Sequence, residues 1–411
     1  MMTDAQCAAR VMERCEALGR ISEESDFLVR PYGSEALRRA NDTVAGWMRE
    51  AGMVVQSDVF GNLVGRYEGT GNETLLLGSH LDTVRDAGKY DGPLGVMVGL
   101  ACVERLHARG ERPPYAVEVV SFADEEGLRF GTTFLGSAVF AGSFDPRLLD
   151  LEDADGVTLA EAVRAFGGDP DALAKAGRSE EDLLGYCEVH IEQGPVLERL
   201  DLSVGVVTGI QGQSRARVGF VGAAGHAGTV PMEGRRDALC AAAEFVLAVE
   251  ETARSEPGMV ATVGRITAHP GAGNVIPGEV SLSLDLRHGD DRVREYAVES
   301  LRETAGEIAA GRGVEHRWQV SEESGAVHTD PGLTAVLARA VEELGYRAER
   351  LPSGAGHDAA KLAEIAPTAM LFVRCEKGIS HNPAESVEQE DVSAAIEVTS
   401  RFLKLVAESK G

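Results

Sequence analysis

Between Ser214 and Ser321 the apolar pattern changes period four times, and this order constrains the chain more than any other feature. Arg215–Val221 reads as a strand, Arg235–Arg254 as a helix, Met259–Ala268 and Glu279–Arg287 as strands, Arg294–Ala310 as a helix and Val314–Ser321 as a strand. The βαββαβ order is that of a ferredoxin-like unit, a sandwich of one sheet and two helices that stands as its own domain. On either side the pattern alternates in the α/β manner. Before it come a helix over Ser34–Ala51, strands at Met53–Val59, Leu63–Tyr67, Thr74–Gly78 and Ala116–Ala123, and a crossover helix over Leu94–His107. After it, Gly332–Leu344, Tyr346–Leu351, His357–Ile365, Thr368–Val373 and Val392–Ala407 resume the alternation. A larger α/β domain interrupted by an inserted ferredoxin-like one is therefore expected, as residues 1–211, 212–325 and 326–411. The length of 411 residues agrees, because a single core stops growing efficiently at this size. Asp145–Glu181 is acidic and weakly patterned, and no course is predicted for it.

Composition excludes several partners. The chain carries 40 Lys and Arg against 66 Asp and Glu, a formal net charge of −26, and no basic run that would neutralise phosphates. Nucleic acid and anionic membrane are thus disfavoured. No stretch reaches the roughly 18 apolar residues of a membrane span, and the charged start MMTDAQCAARVMERCEALGR lacks a secretory apolar core. The six cysteines show no CxxC spacing, so reduced, core-filling thiols in a cytoplasmic protein are expected.

The chemistry-bearing residues lie near strand ends. In Gly78-Ser79-His80-Leu81-Asp82-Thr83, His80 and Asp82 share one face of an extended chain. Such a histidine binds metal through one ring nitrogen while the neighbouring carboxylate helps orient the site. Asp91 in YDGPLGV precedes the crossover helix, where first-turn amides favour an anion. Alone, a His-x-Asp is an ordinary structural pairing and an Asp before a helix is a cap. Their occurrence with Asp124-Glu125-Glu126-Gly127 is less ordinary, since adjacent carboxylates ending an apolar strand repel unless a cation offsets them. One glutamate can ligate a metal while the other acts as general base. The plainer account is a solvated acidic loop. His190 in VHIEQGP and His381 in GISHNPAE complete the inventory of a two-metal hydrolase.

The ordered set GSHLDT, YDGPLGV, DEEG, VHIEQGP, AGHAGTVPM, GAGNVIPG, DLR, SGAGHDA and GISHNPAE resembles the hydantoinase/carbamoylase group of dimetal amidohydrolases, from about Gly61 to Glu385. That group lies within the aminoacylase/carboxypeptidase superfamily and includes N-carbamoyl-L-amino acid hydrolases, bacterial β-ureidopropionases and allantoate amidohydrolases. The resemblance implies two divalent metal ions per subunit, zinc or manganese, with cobalt or nickel also accommodated. Asp91 would bridge them, His80 and His190 completing one site and Glu126 and His381 the other. Glu125 would be the general base and Asp82 would support the His80 side. For the substrate, a small ureido carboxylate, it implies contacts from Gln193, Asn274, Arg287 and the Gly356 backbone. His226 would stabilise the oxyanion from across a homodimer interface, making the inserted unit a dimerisation and lid domain. Plainer accounts place His226 in a glycine-rich turn and Arg287 on a strand surface paired with Asp285. The implied reaction is cleavage of a ureido C–N bond, releasing ammonia and carbon dioxide. A deacylase or small-peptide hydrolase on the same scaffold is the alternative within the enzyme class, and a non-catalytic binding protein the alternative outside it.

Overall fold

The structure, a computed structural model, describes residues 2–410. The chain forms two compact units, one running to Thr208 and resuming at His328, the other Gly209–Val327. Each is described by itself.

The first unit begins with helices α1 (Asp4–Gly19) and α2 (Glu35–Glu50), then strands β1 (Val54–Ser57), β2 (Leu63–Tyr67) and β3 (Thr74–His80). Helix α3 (Pro93–Arg109) crosses over to β4 (Ala116–Phe122). Helix α4 (Leu135–Ala141), helix α5 (Leu159–Phe166), β5 (Leu183–Ile191), the short α6 (Val196–Leu200) and β6 (Val204–Ile210) follow. The second unit holds β7 (Gly212–Val221), β8 (Gly225–His226), α7 (Ala238–Ser255), β9 (Val260–Thr262), β10 (Ile266–His269), β11 (Val275–Ile276), β12 (Glu279–His288), α8 (Asp291–Arg312) and β13 (Glu315–Ser324). The chain returns through β14 (Val327–His328) to α9 (Pro331–Glu343), β15 (Arg350–Ser353), α10 (Ala359–Leu362), β16 (Thr368–Val373) and α11 (Gln389–Glu408).

The main sheet of the first unit runs β1-β2-β4-β3-β5-β16-β6. Strands β4, β3, β5 and β16 are mutually parallel, and β2 and β6 flank them antiparallel. The parallel strands are buried on both faces, as helix-covered parallel sheets must be. Helix α3 is apolar nearly all round, with Leu94, Val96, Val98, Leu100 and Val103 buried, and it packs between the sheet and helices α1 and α11. Pro93 starts it and Gly110, left-handed, ends it. In an open sheet of this kind the ligand crevice lies beyond the carboxyl ends of the parallel strands.

The second unit is an antiparallel sheet in the order β10-β12-β7-β13, with β9 also on β12 and β8 and β11 forming a separate ribbon. Val218, Phe220, Leu282, Leu284 and Leu286 from the sheet close a core with Phe245 of α7 and Leu301 of α8. The strand expected over Met259–Ala268 is divided into β9 and β10. Between the pairs Thr262↔Asp285 and Ile266↔Leu282, four steps on one strand oppose three on the other, a one-residue bulge.

Other differences concern the first unit. The expected strand ending at Gly78 extends to His80, and the acidic excursion 145–181 is ordered. In it, Thr158 and Glu161 form a capping box that starts α5, a signal the spacing Thr-x-x-Glu carries. Phe166 at its end packs edge-on against Tyr32, and Arg178 reaches back to Glu118 in β4 at 2.9 Å. Among the described residues no helix is long and apolar enough to cross a membrane, and all six cysteines are unpaired.

Candidate active site

The parallel register brings the predicted residues to one end of the sheet. His80 ends β3 opposite Phe122, the last residue of β4, so the carboxylates of residues 124–126 emerge beside it. On the other flank β5 carries His190, paired with Phe372 of β16, and the loop after β16 delivers His381. Asp91 stands in the turn before α3. There Gly92 adopts φ +84°, and a Cβ on it would lie 2.5 Å from the His80 ring, so both backbone and space require glycine.

Asp91 is the centre of this arrangement. Its Oδ1 lies 3.1 Å from His190 Nε2 and 4.0 Å from His80 Nε2. Its Oδ2 lies 3.1 Å from His381 Nε2, which is also 3.4 Å from Glu126 Oε1. One carboxylate thus faces two ligand groups, one per oxygen: His80–Asp91–His190 and Asp91–Glu126–His381, each with ligand atoms within 4.8 Å of one another. A third grouping, His80–Glu125–Glu126, meets the same limit, with Glu125 Oε2 4.0 Å from His80 Nε2.

The electrostatics call for positive charge at these positions. Burial works against ionisation of Asp91, yet hydrogen bonds from His190 and His381, with charge from His190 and His80, hold its carboxyl well below the usual range. Burial likewise opposes a proton on His190, but Asp91 outweighs it and raises the imidazole to about 9. Bonds to Asp91 and Glu126 raise His381 to about 10. Glu125 is pushed well above a normal carboxyl, first by burial and then by Glu126, Asp358, Asp82 and Asp91. Imidazole and carboxylate donors grouped in this way fit divalent ions, which would replace those protons.

Asp82 differs from expectation in detail. Its carbonyl, not its carboxylate, is nearest His80 Nδ1, at 3.0 Å against 3.6 Å. The carboxylate instead accepts the backbone amides of Glu125 and Glu126 at 3.1 and 3.0 Å, fixing the acidic loop to the end of β3. Burial raises it to about 6. Gln193, at φ +56°, donates through Nε2 to Asp91 Oδ2 at 3.0 Å, while its Oε1 is buried without a partner. Gly356 is exposed and precedes His357, whose ring packs 4.5 Å from that of His190.

Three predicted residues lie in the other unit. His226 is exposed on the β8–β11 ribbon, opposite Val275, and the amide of the next residue, Ala227, donates to the Asn274 carbonyl at 2.9 Å. These two are neighbours. Arg287 stands apart on β12, held by Asp285 through bonds of 2.8 and 2.9 Å.

Sequence reasoning missed two buried carboxylates beside the cluster. Glu188 accepts Ser79 Oγ at 3.0 Å and the Ala359 amide at 2.9 Å, tying β3, β5 and α10 together. Glu385 binds the turn that carries Asp91. Alternation in Glu188-Val189-His190, just ahead of and into VHIEQGP, puts Glu188 on the same face as His190, and that signal was available.

Comparison with known proteins agrees with this geometry. Residues 76–405 match the family described as Peptidase family M20/M25/M40. The chain is 42% identical over 392 residues to an N-carbamoyl-L-amino acid amidohydrolase of Geobacillus stearothermophilus, covering 95% of this chain and 96% of that one. It is 41% identical over 417 residues to a probable allantoate deiminase of Oryza sativa subsp. japonica, covering 93% and 85%. The crystal structure of a hydantoinase/carbamoylase family amidase from Burkholderia multivorans superposes with a TM-score of 0.92 at 35% identity, covering 97% and 98%. The chain is a hydrolase of the M20/M25/M40 peptidase family and belongs to its hydantoinase/carbamoylase amidases.

Proposed function

We propose that the chain hydrolyses the ureido C–N bond of N-carbamoyl-L-amino acids or allantoate, releasing ammonia and carbon dioxide. The observation that carries this reading is the position of Asp91 between two histidine–carboxylate groups, with a second, proton-holding glutamate alongside. His80 and His190 would hold one divalent ion, Glu126 and His381 the other, with Asp91 shared. When bound, such ions polarise the substrate carbonyl and acidify water toward a pKa of about 7. Zinc or manganese is proposed, and such imidazole and carboxylate donors accept cobalt or nickel as well, depending on supply.

Glu125 takes the proton of the attacking water and returns it to the departing nitrogen, and the carbamic acid left behind breaks down to carbon dioxide and the second nitrogen, so that ammonia, the amine and carbon dioxide are the products. The Glu125 carboxylate, with Oε2 4.0 Å from His80 Nε2 and beside Glu126, is placed for both transfers. Asp82 keeps Glu125 and Glu126 in place through their amides. Gln193 and the Gly356 backbone are assigned to substrate contact in the first unit, and the unpartnered Gln193 Oε1 is an acceptor suited to a ureido N–H. In the inserted unit, Asn274 is assigned a hydrogen bond to substrate and Arg287 a bidentate clamp on its carboxylate. His226 is assigned to the oxyanion, from the partner subunit of a homodimer. The unpaired thiols suit a cytoplasmic setting.

The test is ammonia release by the purified protein from allantoate, N-carbamoyl-β-alanine and a set of N-carbamoyl-L-amino acids, with metal measured on the same batch. Metal-dependent ammonia release is expected. Free amino acid from N-acetyl or dipeptide substrates without ammonia would make it a deacylase or peptidase, and no turnover at any metal loading would make it a binding protein.

A further inference from the structure

The loop that delivers His381 also holds the turn that carries Asp91. In Ser380-His381-Asn382-Pro383-Ala384-Glu385 the Glu385 amide donates to the Asn382 carbonyl at 3.0 Å and the Ala384 amide to Asn382 Oδ1 at 2.9 Å, a tight turn with proline second. The turn folds Glu385 back under Ser380. Glu385 is buried, 3% exposed, and its Oε1 accepts the backbone amides of Tyr90 at 2.7 Å and Asp91 at 3.0 Å. It lies flush on the chain there, since a Cβ at Gly88 would come within 2.2 Å of its carboxyl carbon. Ser380 Oγ stands 2.7 Å from Asp91 Oδ2 and 3.3 Å from Glu385 Oε2, and it accepts Gln193 Nε2 at 3.1 Å. The hydroxyl has one proton, and the shorter contact gives it to Asp91.

We infer that Glu385 and Ser380 are positioning residues for Asp91. Glu385 fixes the main chain of the turn, and Ser380 fixes the rotation of the carboxylate. Without that restraint, a partial rotation about the Cβ–Cγ bond would swing one oxygen away from His190 and the other away from His381, and both ligand groups would lose their shared member. Because Ser380 adjoins His381, the position of Asp91 and that of the histidine opposite its Oδ2 are set by one loop. This rests on the reading of Asp91 as a ligand shared by two ions.

The experiment compares wild type, Ser380→Ala, Glu385→Ala and Glu385→Gln, reading zinc bound per chain in equilibrium dialysis and hydrogen exchange at the Tyr90 and Asp91 amides without metal. Wild type is expected to hold two ions. Ser380→Ala keeps one and binds the second roughly 10–100-fold more weakly, the usual effect of losing an outer partner of a ligand. Glu385→Ala weakens both and speeds exchange at both amides. Glu385→Gln keeps an acceptor oxygen and restores both readouts toward wild type. Wild-type zinc affinity in Ser380→Ala and Glu385→Ala, with unchanged exchange, overturns the inference. Should Glu385→Ala not fold, Ser380→Ala, which removes one hydroxyl, decides by its zinc binding alone. A wild type that binds fewer than two ions defeats the dimetal reading instead, and exchange at the two amides still decides whether Glu385 holds the turn.

Discussion

His190 and His381 both meet Asp91 at 3.1 Å, yet they reach it differently. His190 lies within a parallel strand, with 2% of its side chain exposed, and the register with β3 and β16 sets its place. His381 lies in a loop at φ +53°, half exposed, and hydrogen bonds within that loop set its place. One half of the cluster is thus a product of sheet packing, whereas the other is assembled from loop conformation. The first half should resist perturbation and hold its ion firmly. The second should exchange its ion and respond to changes that leave the fold intact.

The largest effect expected is on neither half. Glu125→Gln should keep both ions and lose turnover by roughly 10²–10⁴-fold, the usual contribution of a positioned proton-transfer group; a variant near the wild-type rate removes Glu125 from that role. Arg287→Ala also lies outside both halves. It should raise KM for carboxylate substrates by about tenfold or more, given roughly 1.5–3 kcal/mol for a charge-assisted bond, while metal content stays unchanged; unaltered kinetics would take it out of the site. The comparison itself is tested by His190→Ala against His381→Ala in the metal-free protein. The first leaves a buried Asp91 oxygen short of its partner and should cost about 1–3 kcal/mol in denaturant unfolding. The second, at an exposed position, should stay within about 0.5 kcal/mol. Equal losses would erase the distinction between the halves. The smallest effect concerns chelation: a titrated chelator should withdraw one ion equivalent before the other, and simultaneous release would show that the halves hold their ions alike.

Much of this was legible in the sequence, because the residues concerned sit in short segments whose spacing carries information. His80, Glu125, Glu126, His190 and His381 each belong to a motif at a strand end or in the loop beyond one, Asp91 to the turn that starts α3, and the parallel register gathers strand ends without further instruction. The βαββαβ order of the inserted unit was legible for the same reason, since the period of its apolar residues changes wherever strand gives way to helix or helix to strand. What escaped was bonding between side chain and main chain. Nothing in GSHLDT says that the Asp82 carboxylate takes the amides of Glu125 and Glu126, and nothing in GISHNPAE says that its last residue takes those of Tyr90 and Asp91. Such bonds depend on backbone direction at two distant places, which a one-dimensional pattern does not encode. The bulge between β9 and β10 escaped likewise, because an extra residue in a strand leaves local alternation nearly intact.

The bond from the Asp91 amide to Glu385 spans 294 positions of chain. At about 5–20 residues per second, a ribosome needs roughly 15–60 s to travel that distance. Throughout this interval the early strands can pair and α3 can pack, but the acid at the head of α3 has neither its brace nor its second histidine. The candidate centre therefore closes after most of the sheet, and a chain interrupted between residues 191 and 380 holds His80, Asp91 and His190 but lacks His381 and Glu385. Synthesis order makes hydrolytic competence a late property of the polypeptide, acquired only when the loop after β16 closes on the turn before α3.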